Sequence, residues 1–404
     1  MMMKRLSAVL LIGMLMLMLM PLLAGCWDRN ELNEISLVVG LGIDKAGDMY
    51  KVSVQLVNPA QAAPKGGANG TASPVVTFEE KGRTIPEALR RMEVKVPRKL
   101  YYAHLRLIVL GETLARAGIS KPLDFISRNP QMRTDFFLII AKNTNASDVL
   151  KVYSRLDPIP ANNLYTTLEV SNKLWAATGK ITLVKLVQDL NSRGINPALT
   201  GVEIVGEEQI GESLANIEKI APPTLLKYTG MAIFKKDRMV GWIGEDETKA
   251  LNYVQNKVVQ TVGYLSCPNG GYVSADVINT QTRLDTRIQE GKPIVDINLR
   301  VEQNISDIEC DVDIMQKPFI DQLKEEGDQK IKKIIEDSIK KIQKQYGTDI
   351  FGFGELIHHK YPKLWHQYKD WNEEFKKLKV HVQVDTIIRR IGTTVHSVEQ
   401  QTEE

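Results

Sequence analysis

An α+β protein with mostly antiparallel, mixed sheets flanked by helices is the expectation for this chain, on three grounds. Runs with period-two alternation of apolar and polar residues come in pairs joined by short turns, the pattern of antiparallel hairpins. Segments of helical period lie between them without the strict strand–helix repeat of a parallel architecture. The chain has 404 residues, of which 43% are hydrophobic, 25% charged and 6% aromatic, an ordinary balance for a folded protein. Such a length gives room for two or three domains. The composition excludes wholesale disorder and a polytopic membrane protein.

The N-terminus reads as an address. Lys4 and Arg5 precede an uncharged apolar stretch, Leu6 to Met20, followed by Pro21-Leu22-Leu23-Ala24-Gly25-Cys26. A basic start, an apolar middle and small residues at the end make a secretion signal. Leu23-Ala24-Gly25-Cys26 resembles a bacterial lipobox, with cleavage between Gly25 and Cys26 and diacylglycerol on the Cys26 thiol. Cys26 is then residue one of the mature protein, with N-acylation of its freed amine as a further modification. Two acyl chains suffice for stable anchoring, at roughly 0.8 kcal/mol per buried CH₂. An uncleaved membrane helix is the competing reading, since Leu6 to Gly25 is nearly long enough to span. Pro21 and the small-small-Cys ending argue against it. The mature protein is therefore expected outside the cytoplasm, lipid-anchored to the cell membrane.

The signal peptide occupies 1–25 and an N-terminal α+β domain 26–200. Ile35 to Asp44 and Tyr50 to Val57 flank a turn at Gly47 and predict a hairpin. The segment 59–74, rich in Ala, Gly and Pro, reads as a flexible loop. A strand at Val75 to Glu79 leads to Thr84 and Glu87, a capping-box pair for a helix over Ile85 to Glu93. Strands follow at Ala103 to Leu110 and Asp135 to Lys142, then amphipathic helices at Leu164 to Ala177 and Thr182 to Arg193. A middle domain, 201–265, carries a hairpin of Tyr228 to Phe234 and Arg238 to Ile243. A C-terminal α+β domain, 266–394, holds strands Tyr272 to Arg283 and Pro293 to Asn304. In the latter Val295, Ile297, Leu299 and Val301 share one face. The long helix Phe319 to Tyr346 has Ile331, Ile335, Ile339, Ile342 and Tyr346 on one stripe. Residues 395–404 are a tail.

The chemistry is sparse. A formal charge of +3, partly from the leader, gives no support for nucleic-acid binding. No hydrolase elbow, zinc-protease helix, phosphate-binding loop or C-x-x-C motif is present. His358, His359 and His366 read as surface histidines rather than metal ligands. Trp365, Tyr368, Trp371 and Phe375 form an aromatic stripe that reads as core. Cys267 and Cys310, on neighbouring strands outside the reducing cytoplasm, either pair as a disulfide or remain two buried thiols. No catalytic residue, metal site or cofactor beyond the lipid on Cys26 is expected.

Three blocks carry a resemblance. Gly25-Cys26-Trp27-Asp28-Arg29-Asn30-Glu31-Leu32 at the cleavage site is the first. Thr229-Gly230-Met231-Ala232-Ile233-Phe234-Lys235-Lys236-Asp237-Arg238-Met239-Val240-Gly241-Trp242 is the second. Asp349-Ile350-Phe351-Gly352-Phe353-Gly354, with Tyr361-Pro362-Lys363, Trp365 and Trp371, is the third. Together they resemble the Ger(x)C family, C-subunit lipoproteins of nutrient germinant receptors in endospore-forming bacteria. The resemblance implies a three-domain α+β lipoprotein on the outer face of the spore's inner membrane. It also implies a non-enzymatic role in starting germination, with a polytopic A-type subunit and a transporter-like B-type subunit as partners. A solute-binding lipoprotein of a transporter and a cortex-directed hydrolase are the alternatives.

Overall fold

A computed structural model describes residues 2–19, 31, 33–58, 73–154, 156–267, 270–309 and 317–391. Gly25, Cys26, Cys310, the tail and nearly all of the 59–74 loop lie outside the described residues. The N-terminal segment forms a helix, Met2–Leu19.

Strands β1 (Ile35–Ala46) and β2 (Met49–Val57) make the expected hairpin, closing at Ala46↔Met49 around Gly47 at φ +60°. β3 (Val75–Gly82) continues outward from β2. The helix Ile85–Met92 begins where Thr84 Oγ1 accepts from the Glu87 backbone N–H at 3.3 Å. The Glu87 carboxylate accepts from the Arg83 N–H at 2.8 Å, one residue earlier than a reciprocal capping box requires.

The centre of this sheet is parallel. β4 (Lys99–Tyr101) and β5 (Leu107–Gly111) both run parallel to β1, followed by β6 (Phe137–Ala141) and β7 (Ala198–Gly206). β5 reads LIVLG and β6 reads FLIIA, and every residue in both is buried. Uninterrupted apolar runs suit strands covered on two faces. Ile108, Leu110, Leu138 and Ile140 meet the helices Ile85–Met92 and Leu183–Asn191 on one side. Leu107, Val109, Phe137 and Ile139 meet Leu164 and Leu168 of the helix Pro160–Leu174 on the other.

β8 (Thr224–Lys235) and β9 (Arg238–Ile243) complete nine strands, in the order β3-β2-β1-β5-β6-β7-β8-β9 with β4 beside β1. The expected boundary at residue 200 falls inside β7, so 201–265 forms no separate sheet. β7 uses one edge for β6 and the other for β8, which a strand-by-strand reading cannot foresee.

The second sheet has four strands: β10 (Thr261–Ser266), β11 (Tyr272–Gln289), β12 (Lys292–Ile308) and β13 (Lys379–Ile391). The first two pairings, β10 with β11 and β11 with β12, are antiparallel, whereas β13 returns parallel to β12. Between β12 and β13 lie the long helix Lys317–Gln345 and three short helices, Phe353–Lys360, Pro362–Trp365 and Trp371–Phe375. Ile335, Ile339 and Ile342 of the long helix pack with Val295, Ile297, Leu299 and Val301 of β12, and the same core takes in Met231 and Ile233 of β8. The two sheets thus share apolar contacts.

Candidate functional site

The third sequence block makes the joint between the sheets. Gly347, at φ +56°, ends the long helix by sending its N–H to the Ile342 carbonyl at 2.9 Å. Thr348 and Asp349 follow, both fully buried. Asp349 Oδ1 accepts from the N–H groups of Phe351 and Gly352, each at 2.9 Å. Its Oδ2 accepts from the Gly354 N–H and from Trp371 Nε1, each at 2.8 Å. Gly352 stands at φ +87°, the backbone state that lets the loop wrap the carboxylate. Burial pushes the Asp349 carboxyl up to about 6, while the donors from Gly354, Trp371, Gly352 and Phe351 pull it down.

The same loop is bound to the large sheet. The Asp349 carbonyl accepts from the Asn196 N–H at 2.7 Å. Asn196 Nδ2 donates to Asn372 Oδ1 at 3.0 Å, and Asn196 Oδ1 accepts from the Lys236 N–H in the β8–β9 turn at 2.9 Å. Thr348 Oγ1 donates to the Phe234 carbonyl at 2.9 Å and Tyr346 OH to the Trp242 carbonyl at 2.7 Å. Two backbones also touch: a Cβ on Gly194 would lie 2.4 Å from the Glu355 nitrogen, and one on Gly354 would lie 2.7 Å from Gly194 Cα. Only glycine permits that approach.

The aromatic stripe is core, as its spacing suggests. Trp365, Trp371 and Phe375 are buried, with Trp365 and Trp371 centroids 5.3 Å apart, and Tyr368 sits at the surface end. His358, His359 and His366 are exposed, and His358 stacks on Trp365 at 5.1 Å. A cleft of about 890 Å³ opens beside the joint, lined by Asn196, Lys236, Asp237, Tyr368, Trp371 and Asn372 among others. Among the described residues, no group of His, Cys, Asp or Glu is arranged to hold a metal ion. Each hydrogen bond of the Asp349 carboxylate comes from a donor that fixes it in place, an arrangement that suits mechanical joining rather than proton transfer.

Cys267 is disulfide-bonded, and its N–H donates to the Gly271 carbonyl at 3.1 Å. Cys310, the partner considered from the sequence, lies outside the described residues, although the preceding Glu309 N–H reaches the Tyr272 carbonyl at 2.9 Å. Among the described residues, no helix is long and apolar enough to cross a membrane. Asp349, Asn196 and Gly194 were not foreseen as a unit. An acid followed at the third and fifth positions by glycine, within an apolar run, is the signal that marks the first of them.

Residues 28–204 match the family described as "Spore germination protein N-terminal domain", and 229–392 match "Spore germination B3/ GerAC like, C-terminal". Spore germination protein KC of Bacillus subtilis (strain 168) is 29% identical over 401 residues, covering 97% of this chain and 98% of that protein. Spore germination protein B3 of the same organism is 24% identical, with 92% of this chain and 95% of that protein covered. The crystal structure of the GerBC protein has the same fold, with a TM-score of 0.53 at 21% identity over 86% of this chain and 96% of that one. The blocks at residues 25–32, the β8–β9 hairpin and the Asp349 loop thus fall in a chain that belongs to the Ger(x)C family of spore germination proteins, the C subunits of germinant receptors.

Proposed function

We propose that this C subunit works without chemistry of its own, as a lipid-tethered body that assembles or couples an A-type and a B-type membrane subunit at the outer face of the spore's inner membrane. The Asp349 joint carries the reading. It ties the second sheet to the first through buried hydrogen bonds and glycine contacts, which favours transmitting or bracing a load over processing a substrate. The lipobox ending at Cys26 supplies the tether. The solute-binding alternative expects two lobes of repeated parallel βα units, whereas here one mixed sheet is joined to a four-stranded, largely antiparallel one.

The test is a pull-down of the tagged protein from spore membranes in mild detergent, with co-purifying chains identified by mass spectrometry. One A-like and one B-like membrane protein in comparable amounts are expected. Recovery alone, or with transporter ATPase components, sinks the proposal. In the same spores Cys26→Ala is expected to lose lipidation and leave the membrane fraction, and wild-type retention of that variant would make the leader itself the anchor.

A further inference from the structure

The second sheet ends in two edge strands, β10 and β13, that are finished differently. An open edge invites pairing with another chain, and side chains that occupy its backbone groups oppose this. On β10 the long helix supplies them: the Ser266 N–H donates to Glu326 Oε1 and the Tyr264 carbonyl accepts from Lys330 Nζ, each at 2.6 Å. β13 pairs with β12 alone, and the long helix caps its outer side at two points. The Thr386 N–H donates to Asp328 Oδ1 at 2.7 Å, and the Leu378 carbonyl, just before the strand, accepts from Gln343 Nε2 at 2.9 Å.

Those two caps fix which groups of β13 face outward. A strand sends the N–H and C=O of one residue to one side and those of the next to the other, so Val380, Val382 and Val384 share the side of Leu378 and Thr386. Among the described residues, no hydrogen bond reaches the three valines from this side. Between strand and helix here runs a groove of about 290 Å³, lined by Val382, Val384, Asp321, Lys324, Glu325 and Lys332 among others. Between its caps the strand carries no proline and no bulge, and its alternating valines favour extended backbone. The edge is thus open from Lys379 to Asp385, a length of about 20 Å.

This edge is complementary to itself. Two copies related by a twofold axis at Val382 set Val382 against Val382 and Val380 against Val384, so that outward groups meet outward groups and form about six hydrogen bonds. An axis one residue either way would call on the capped groups of Leu378 or Thr386. The same register sets His381 against Gln383 and Lys379 against Asp385. Both charged residues are exposed, and the twofold axis makes their opposite-charge pair twice. Asp385 Oδ1 lies 3.0 Å from Lys324 Nζ, which leaves Oδ2 for the lysine of the other copy. We infer that the β13 edge is a self-association surface, on which a second copy of this chain lays its own β13 antiparallel and joins the two four-stranded sheets into one. The inference goes beyond the assembly role proposed above, which concerns other subunits.

The test follows the mass of the full chain in detergent by sedimentation velocity over a wide range of concentration, and a monomer–dimer equilibrium is expected. Lys379→Glu sets like charges opposite each other twice and is expected to weaken the dimer about tenfold, and adding Asp385→Lys is expected to restore it. Val384→Pro removes an outward N–H and no bond to β12, and is expected to abolish the dimer. Register is read by mixing His381→Cys with Gln383→Cys under oxidation. The mixture is expected to cross-link faster than either variant alone, because the unlike pair is the directly opposed one. A chain that stays monomeric at every concentration overturns the inference, whether its edge is free or covered by another part of the same chain. So does a dimer that ignores both Lys379→Glu and Val384→Pro, the result that chance sharing of a micelle would give, and so does equal cross-linking by like and unlike variants.

Discussion

Asp349 and Gln303 are both polar, both buried and both set among apolar neighbours of the same half of the molecule, yet they are treated in opposite ways. The carboxylate receives four donors, from a loop shaped by glycine and from an indole brought in from another helix. The amide nitrogen receives no partner among the described residues, and a glycine stands back from it. A satisfied buried polar group fixes one arrangement of the elements around it. An unsatisfied one costs stability and fixes nothing. The difference separates a polar group that fastens two elements together from one that fastens nothing.

The comparison breaks first at Asp349. Asp349→Asn keeps the volume but leaves one acceptor oxygen and sets an amine against N–H donors. A loss of about 4 kcal/mol in urea unfolding is expected, the range for disrupting a buried charged network. A loss under about 1 kcal/mol would mean that the joint is ordinary packing.

Titration sharpens the same point. With the folded value near 6 and the ordinary value 3.8, the native state keeps the Asp349 proton where the unfolded state has released it. Unfolding free energy from this group therefore rises as pH falls from 7 through 6 and levels off below about 3.8, by about 3 kcal/mol at most. Exposed carboxylates held low by a hydrogen bond or ion pair, such as Glu87 and Glu302, act in the other direction at lower pH. The measurement is thus the difference between wild type and Asp349→Asn across pH 4–7, and a flat difference contradicts the raised value.

Gly194→Ala tests the backbone contact without touching a charge. Its methyl would meet the Glu355 nitrogen at 2.4 Å, so a loss of about 2 kcal/mol by thermal or urea unfolding is expected. At the other pole, Gln303→Met should be the one substitution of the set that stabilises, by about 1 kcal/mol, because it removes an unpaired donor. Destabilisation there would show that Gln303 supports the fold.

Much of the architecture was legible, and the reasons for the misses are specific. Period-two alternation in 293–304 marks β12, and the spacing of Ile335, Ile339 and Ile342 marks the face of the long helix that is buried. The parallel centre was not visible, because five-residue runs such as LIVLG and FLIIA are too short and too apolar to show a period. Pairing partners far apart in sequence are equally silent, which is why the local pattern alone puts the start of a new domain at β7. At the joint, the family resemblance singled out the Asp349 block and the aromatic spacing gave the core. Asn196 enters it only through the fold, 153 positions from Asp349. Gln303 was readable in principle, as the polar member of an inward-facing register.

The two family-matched segments, 28–204 and 229–392, are not separable pieces. β7 closes the first, and its outer edge is paired from Ala198↔Ile233 to Gly206↔Thr224 by a strand that lies largely in the second. A gene fragment ending near 204 would leave a bare strand edge on its product, open to pairing with another copy. Recombination between relatives is then tolerated more readily inside either segment than at the apparent seam, and separate expression of the halves calls for a cut beyond β9.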